Sequence, residues 1–164
     1  MPIIEGSKTP LLSSAAAPVD GTNEVQSLDI TGVPTGGTFK VAFDGFISGD
    51  INFDDDAAAV ELVLEAMPNI GAGAATVAGT NPNFGVTFGA NLAKLAVPEF
   101  TLYENLLTGG TSPTVAPSTD TPGVTATHRG AGLGSLAVDE SSGDLYINAG
   151  TALEPTWTLV GGQT

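Results

Sequence analysis

The density of glycine and proline constrains this chain more than any other feature. Its 164 residues include 22 glycines and 11 prolines. Glycine weakens a helix interior and proline breaks it, so this density suits turns and extended segments rather than long helices. One clear helix remains. Asp54, Asp55 and Asp56 supply an N-cap and acidic residues for the first turn. Ala59/Val60, Val63/Leu64 and Met67 then repeat along one helical face, and Pro68 and Gly71 stop the run. Elsewhere the period is two. Phe39, Val41 and Phe43 alternate with Thr38, Lys40 and Ala42, and Asp44-Gly45 follows as a hairpin turn. Val25, Leu28 and Ile30 mark an earlier strand. Phe46, Ile47, Ile51 and Phe53 mark a later one, with a bulge near Gly49. Ala75–Ala78, Phe84–Phe88 and Leu92–Leu102 complete the series, and Pro98 in the last argues for an edge or a bulge. The expected fold class is mainly β: a β-sandwich-like domain with one short helix at about 55–67, followed by a small C-terminal β-hairpin module.

The same punctuation divides the chain. Residues 1–22 read as an extended N-terminal arm interrupted by Pro2, Pro10, Pro18 and Gly21. It is either a disordered tail or a segment that orders on a neighbour, with Ile3, Ile4, Leu11 and Leu12 as the candidate contacts to that neighbour. Residues 23–107 form the main domain. Residues 108–123 are a Thr/Pro/Gly linker with one charge. Residues 124–164 form the C-terminal module, in which Ser141-Ser142-Gly143-Asp144 joins two strands and Thr156–Val160 adds a third. Such a module is too small to bury much surface alone. Leu136, Val138, Tyr146, Ile147 and Trp157 are therefore candidate oligomer contacts, and a homotrimer is the expected state.

Charge narrows the function. Eighteen acidic residues against four basic ones give a net charge of −14. Lys8, Lys40, Lys94 and Arg129 are scattered, so no basic patch for nucleic acid or an anionic membrane is expected. No apolar run approaches the ~20 residues of a membrane helix, and the start of the chain lacks the pattern of a secretory signal. With no cysteine, disulfides, thiolate metal sites and a Cys nucleophile are excluded.

No residue group rises to a catalytic constellation. Asp50, Asp54, Asp55 and Asp56 cluster, but not at EF-hand spacing, and helix capping explains Asp54–Asp56. His128, the one histidine, lies beside Arg129 in a glycine-rich stretch and suits a hydrogen bond at a surface or between subunits. Gly130-Ala131-Gly132-Leu133-Gly134 lacks the strand before it and the helix after it that a dinucleotide loop needs. Glu61 and Glu65 lie one helical turn apart and are expected to face solvent. Trp157 and Tyr146 offer a small sugar platform or, more commonly, core or interface aromatics. No catalytic residue, metal or cofactor is expected.

Two stretches carry a resemblance. Glu24–Gly32, Pro34–Phe39 and Ala57–Gly71, with the exit Leu107-Thr108-Gly109-Gly110-Thr111, resemble a β-rich module of structural proteins of tailed bacteriophages, notably those of actinobacterial hosts. Gly134–Asp139, Gly143–Thr151 and Pro155–Gly161 are similar to a small hairpin module near the ends of phage head fibres, tail fibres and decoration proteins, often at a trimer axis. The resemblance implies a non-enzymatic virion protein of the head-decoration (minor capsid) type. It would stabilise the outer capsid surface as an oligomer after synthesis in the host cytoplasm, with the major capsid protein and itself as partners. The alternative is a tail or fibre component with a weak glycan-binding role.

Overall fold

The computed structural model describes residues 11–14 and 16–161. The expected contacts Ile3 and Ile4 lie outside them. Among the described residues, twelve strands and one α-helix fall into two units. One is Thr22–Val124; the other joins N-terminal residues to those from Thr125 onward.

In the first unit, β2 (Val25–Thr31), β6 (Ala75–Thr80), β7 (Asn83–Phe88) and β9 (Thr114–Thr121) form an antiparallel sheet in the order β6-β7-β2-β9. A second sheet is built on β3 (Thr38–Phe43). Phe39 pairs with both Ile51 and Asn105, and Ala42 with both Ile47 and Thr101. Thus β8 (Thr101–Asn105) lies on one side of β3. On the other lie β4 (Phe46–Ile47) and β5 (Ile51–Asn52), one strand interrupted at Ser48–Asp50. The sheets share a core because alternation sends Phe39, Val41 and Phe43 inward to meet Leu28, Ile30, Phe84, Val86 and Phe88. Phe43, Phe88 and Phe100 form a ring cluster with centroids 5.0–5.6 Å apart. The β3–β4 turn is tight because Asp44 and Gly45 both take positive φ, 45° and 81°, as a type I′ hairpin requires.

The helix α1 spans Ala57–Glu65. Asp56 is its N-cap, accepting from the Ala59 N–H at 2.8 Å. Asp55 reaches back to the Asn52 N–H, at 2.8 Å. Val60, Leu64 and Met67 are buried. Glu61 and Glu65 do not simply face solvent: Glu61 Oε2 accepts from the Val77 N–H (2.8 Å) and Glu65 Oε1 from the Gly73 N–H (2.6 Å). Their long stems let them reach the margin of the first sheet, beside which α1 packs.

Two expectations about the chain path are corrected. The expected strand Leu92–Leu102 is a short 3-10 turn (Ala90–Leu92) and an irregular run, with strand only from Thr101. The run lacks a ladder because side chains of another segment take its backbone groups. The Lys94 N–H bonds Asn23, the Val97 N–H bonds Glu24, and the Phe100 N–H and Pro98 carbonyl bond Gln26. The expected linker 108–123 contains an eight-residue strand, β9, paired along the whole of β2. Its threonines suit a sheet, and Pro117 is tolerated because β9 is an edge strand.

In the second unit, β10 (Leu136–Asp139), β11 (Leu145–Asn148) and β12 (Trp157–Gly161) form the expected antiparallel strands. A fourth comes from the N-terminal stretch: β1 (Leu11–Ser14) runs parallel to β10, with Leu11 opposite Leu136 and Leu12 opposite Ala137. At least this part of the expected arm is therefore a sheet strand within its own chain.

Candidate functional site

The first polar arrangement of note is a buried clasp in the main unit. Strand β2 turns Gln26, Leu28 and Ile30 to the same face, and Gln26 and Leu28 have no exposure. An amide at that depth must be satisfied. Gln26 Oε1 accepts from the Phe100 N–H at 2.8 Å, and Nε2 donates to the Pro98 carbonyl at 2.9 Å and to Glu24 Oε1. Glu24, also buried, accepts from the N–H groups of Val97 (2.9 Å) and Gly123 (3.3 Å). A side chain at Gly123 would overlap the Leu95 carbonyl oxygen, so the close approach requires glycine there. The clasp is saturated by its own chain and offers no free group for chemistry.

The C-terminal unit has a second hub. Asn148 is fully buried; its Nδ2 donates to the Ala131 carbonyl (2.7 Å) and its Oδ1 accepts from the N–H groups of Gly150 (2.8 Å) and Thr156 (2.9 Å). Asp139 closes the β10–β11 turn. Its carboxyl is held below the ordinary value of 3.8, chiefly by the Ser141 hydroxyl, then by the Ser141 N–H.

Trp157 is 8% exposed, its indole N–H donating to the Thr127 carbonyl at 3.0 Å, and its backbone N–H is capped by Asp20 at 2.6 Å. It is thus an anchor within its own unit and no surface platform for a sugar. His128 stands edge-on to it at 6.0 Å, and the buried Nε2 of that imidazole has no hydrogen-bond partner among the described residues. Among the described residues neither a nucleophile nor a carboxylate is poised on that nitrogen, as a triad requires. Among the described residues no group of three His, Asp or Glu side chains is placed to hold a metal. Nor, among them, is any helix long and apolar enough to cross a membrane.

What remains are surfaces. Leu12, Leu136, Val138, Tyr146 and Ile147 are half-buried on the C-terminal sheet. The main unit has an apolar groove of about 640 Å³ between Ile30, Val33, Pro34, Phe53 and Pro82. The outer face of β3 carries Lys40, whose ammonium bonds Glu104 at 2.9 Å and lies 3.5 Å from Asp50. Those two carboxylates, Glu104 foremost, raise its pKa. The sequence reading missed the clasp, Asn148 and Asp20. Gln26 left a signal, a polar residue in step with the apolar positions Leu28 and Ile30; Asn148 and Asp20 left none.

No family model matches the chain. Over 133 residues, 77% of its length, the chain is 31% identical to a protein named tail sheath protein from Mycobacterium phage Bxz1. The match covers 22% of that protein, so the chain spans about a fifth of its relative's length. A solved structure from Mycobacterium phage Patience aligns with 87% of this chain and 57% of its own, at 19% identity and a TM-score of 0.41. What this sequence is similar to, over most of its length, is thus one part of a bacteriophage tail protein.

Proposed function

We propose that this chain is a non-enzymatic structural module of a phage particle that works in the tail. The single observation carrying this reading is the 31% identity over 133 residues to a tail sheath protein. That relative favours the tail over the outer capsid surface and major-capsid partner expected from the sequence. The site geometry agrees with a structural role. The clasp and the Asn148 hub spend their polar groups on holding loops, and the imidazole of His128 packs on an indole.

On this reading a neighbouring virion protein covers the half-buried faces of the C-terminal sheet at Leu136, Val138, Tyr146 and Ile147. Trp157 is not among these contacts, because its own unit already buries it. Contact is governed by apolar and backbone groups, since four basic residues in 164 allow few attractive pairs. Gold-labelled antibody against the chain, applied to intact particles, tests the placement. Label along the tail supports it; label over the head with a bare tail contradicts it.

A further inference from the structure

The apolar groove of the main unit encloses about 640 Å³, within the roughly 300–1,000 Å³ of ligand pockets. Its walls are tied together by the chain itself. The Ile30 N–H bonds the Pro82 carbonyl at 2.9 Å, and the Asn81 carboxamide bonds the Phe53 carbonyl at 2.6 Å. The groove is therefore preformed, with Ile30, 5% exposed, at its base. One wall is strained. Val33 sits at φ 52°, a region that β-branched residues rarely enter, and it is 80% exposed. Packing behind it holds it there. The Thr111 N–H bonds the Gly32 carbonyl at 2.8 Å, and a side chain at Gly110 would overlap the Gly32 and Val33 carbonyls. Strain that keeps an apolar side chain out in water, beside an apolar groove, serves a contact rather than the fold. The rim also carries one carboxylate. Asp55 accepts from the Asn52 N–H and Asp56 from the Ala59 N–H, whereas Asp54, exposed at the groove, makes no hydrogen bond among the described residues.

We propose that this groove receives a segment of a different protein, one that presents an aromatic or branched apolar side chain next to a Lys or Arg. The apolar side chain fills the groove against Ile30, Phe53 and Val33, and the neighbouring cation meets Asp54. Charge selects this occupant. The chain carries a net charge of −14, so a basic segment is drawn to it and an acidic one repelled. A second copy fits badly for the same reason: it brings the same excess of carboxylates, and of its few cations Lys40 is already held by Glu104 and Asp50. The groove supplies the contact area and the single carboxylate sets the direction of the segment. The proposal goes beyond the tail reading and does not depend on it.

The test uses the full chain with isotope-labelled Ile and Val methyl groups, followed by nuclear magnetic resonance, and its Val33→Asn and Asp54→Asn variants. The probes are acetyl-Phe-Lys-amide, acetyl-Phe-Glu-amide and acetyl-Ser-Lys-amide. In the wild type the Phe-Lys probe shifts the Ile30 and Val33 methyl resonances saturably at millimolar concentration. The Phe-Glu probe binds about two- to fivefold more weakly, the scale of one exposed ion pair, and the Ser-Lys probe moves neither resonance. D54N removes the difference between the two Phe probes. V33N keeps at least the wild-type thermal midpoint, because Asn tolerates that φ, yet binds the Phe-Lys probe about threefold more weakly or worse, as loss of apolar contact implies. An Ile30 methyl that the Phe-Lys probe leaves unmoved overturns the proposal. So does a Phe-Glu probe that binds as tightly as Phe-Lys, a D54N that keeps the difference between them, or a V33N less stable than the wild type. An Ile30 resonance that moves with protein concentration alone makes a second copy the occupant and overturns it as well.

Discussion

Replacing Gln26 by Leu isolates the energetic role of the clasp. The two side chains have similar volume, so the change opens little cavity in a position with no exposure. It removes the acceptor of the buried Phe100 N–H, at 2.8 Å, one partner of the exposed Pro98 carbonyl, at 2.9 Å, and the donor that faces Glu24 Oε1. Water reaches Pro98 and can replace its bond. The Phe100 amide has no such substitute, and stranding a buried donor costs ~1–3 kcal/mol. A buried carboxylate that loses one donor adds roughly 1 kcal/mol more. The added apolar contact of Leu offsets part of this. The net expectation is a loss of about 2–3 kcal/mol, a large share of the ~5–15 kcal/mol typical of a domain. In urea, with a slope of about 1–3 kcal/mol per molar, the midpoint falls by about 0.7–3 M. Fluorescence of Trp157 reports the C-terminal unit, so the main unit is followed by far-UV circular dichroism together with amide exchange at Phe100. A midpoint within about 0.3 M of wild type, on the measured slope, would refute the claim that Gln26 holds the 94–100 run.

Other substitutions test single links. Asp56→Ala removes the helix N-cap and lowers stability by about 1 kcal/mol in urea unfolding, while Asp54→Ala, whose carboxylate does not cap the helix, changes it by less than about 0.5 kcal/mol. Gly123→Ala forces the Leu95 carbonyl to move and costs roughly 1–3 kcal/mol, read as a drop in thermal midpoint. Asn148→Ala unties three loop attachments in the C-terminal unit, so amides at Gly150 and Thr156 lose exchange protection while those of β2 and β7 keep theirs. For Asp139 the folded carboxyl lies below its ordinary value of 3.8, so the unfolded state binds the proton more tightly. Its contribution is full above that ordinary value and is lost as pH falls through the folded one. Asp139→Asn should therefore flatten the acid limb of the C-terminal unit's stability curve below pH ~4 and leave neutral pH little changed in slope.

The strands with a clean alternation were legible in the sequence. Phe39, Val41 and Phe43 announce β3, Phe84, Val86 and Phe88 announce β7, and Asp54–Asp56 with Val60 and Leu64 announce the helix and its cap. Those signals are local, a period and a cap, and local physics decides them. The errors arose where distant contacts decide. Leu92–Leu102 has the composition of a strand, yet Asn23, Glu24 and Gln26 claim its backbone from more than 70 positions away. Thr114–Thr121 has the composition of a linker, yet β2 offers it an open edge. Leu11–Ser14 lacks any period of its own and becomes a strand only because β10 is there to pair with it. The hold of Thr127 and Asp20 on Trp157 is set from afar as well, and nothing nearby in sequence shows it. The assembly surfaces were the least legible of all, since half-burial of Leu136 or Ile147 depends on what lies above the sheet rather than on the strand itself.

The proposed place of the chain in the tail is tested most directly by physical separation. Purified particles are split into heads and tails, and the chain is quantified in each fraction by isotope-dilution mass spectrometry against one head and one tail protein. The account predicts that the chain stays with the tails, in fixed ratio to the tail protein across preparations. Recovery with the heads, in ratio to the capsid protein, would contradict it and restore the head-surface reading.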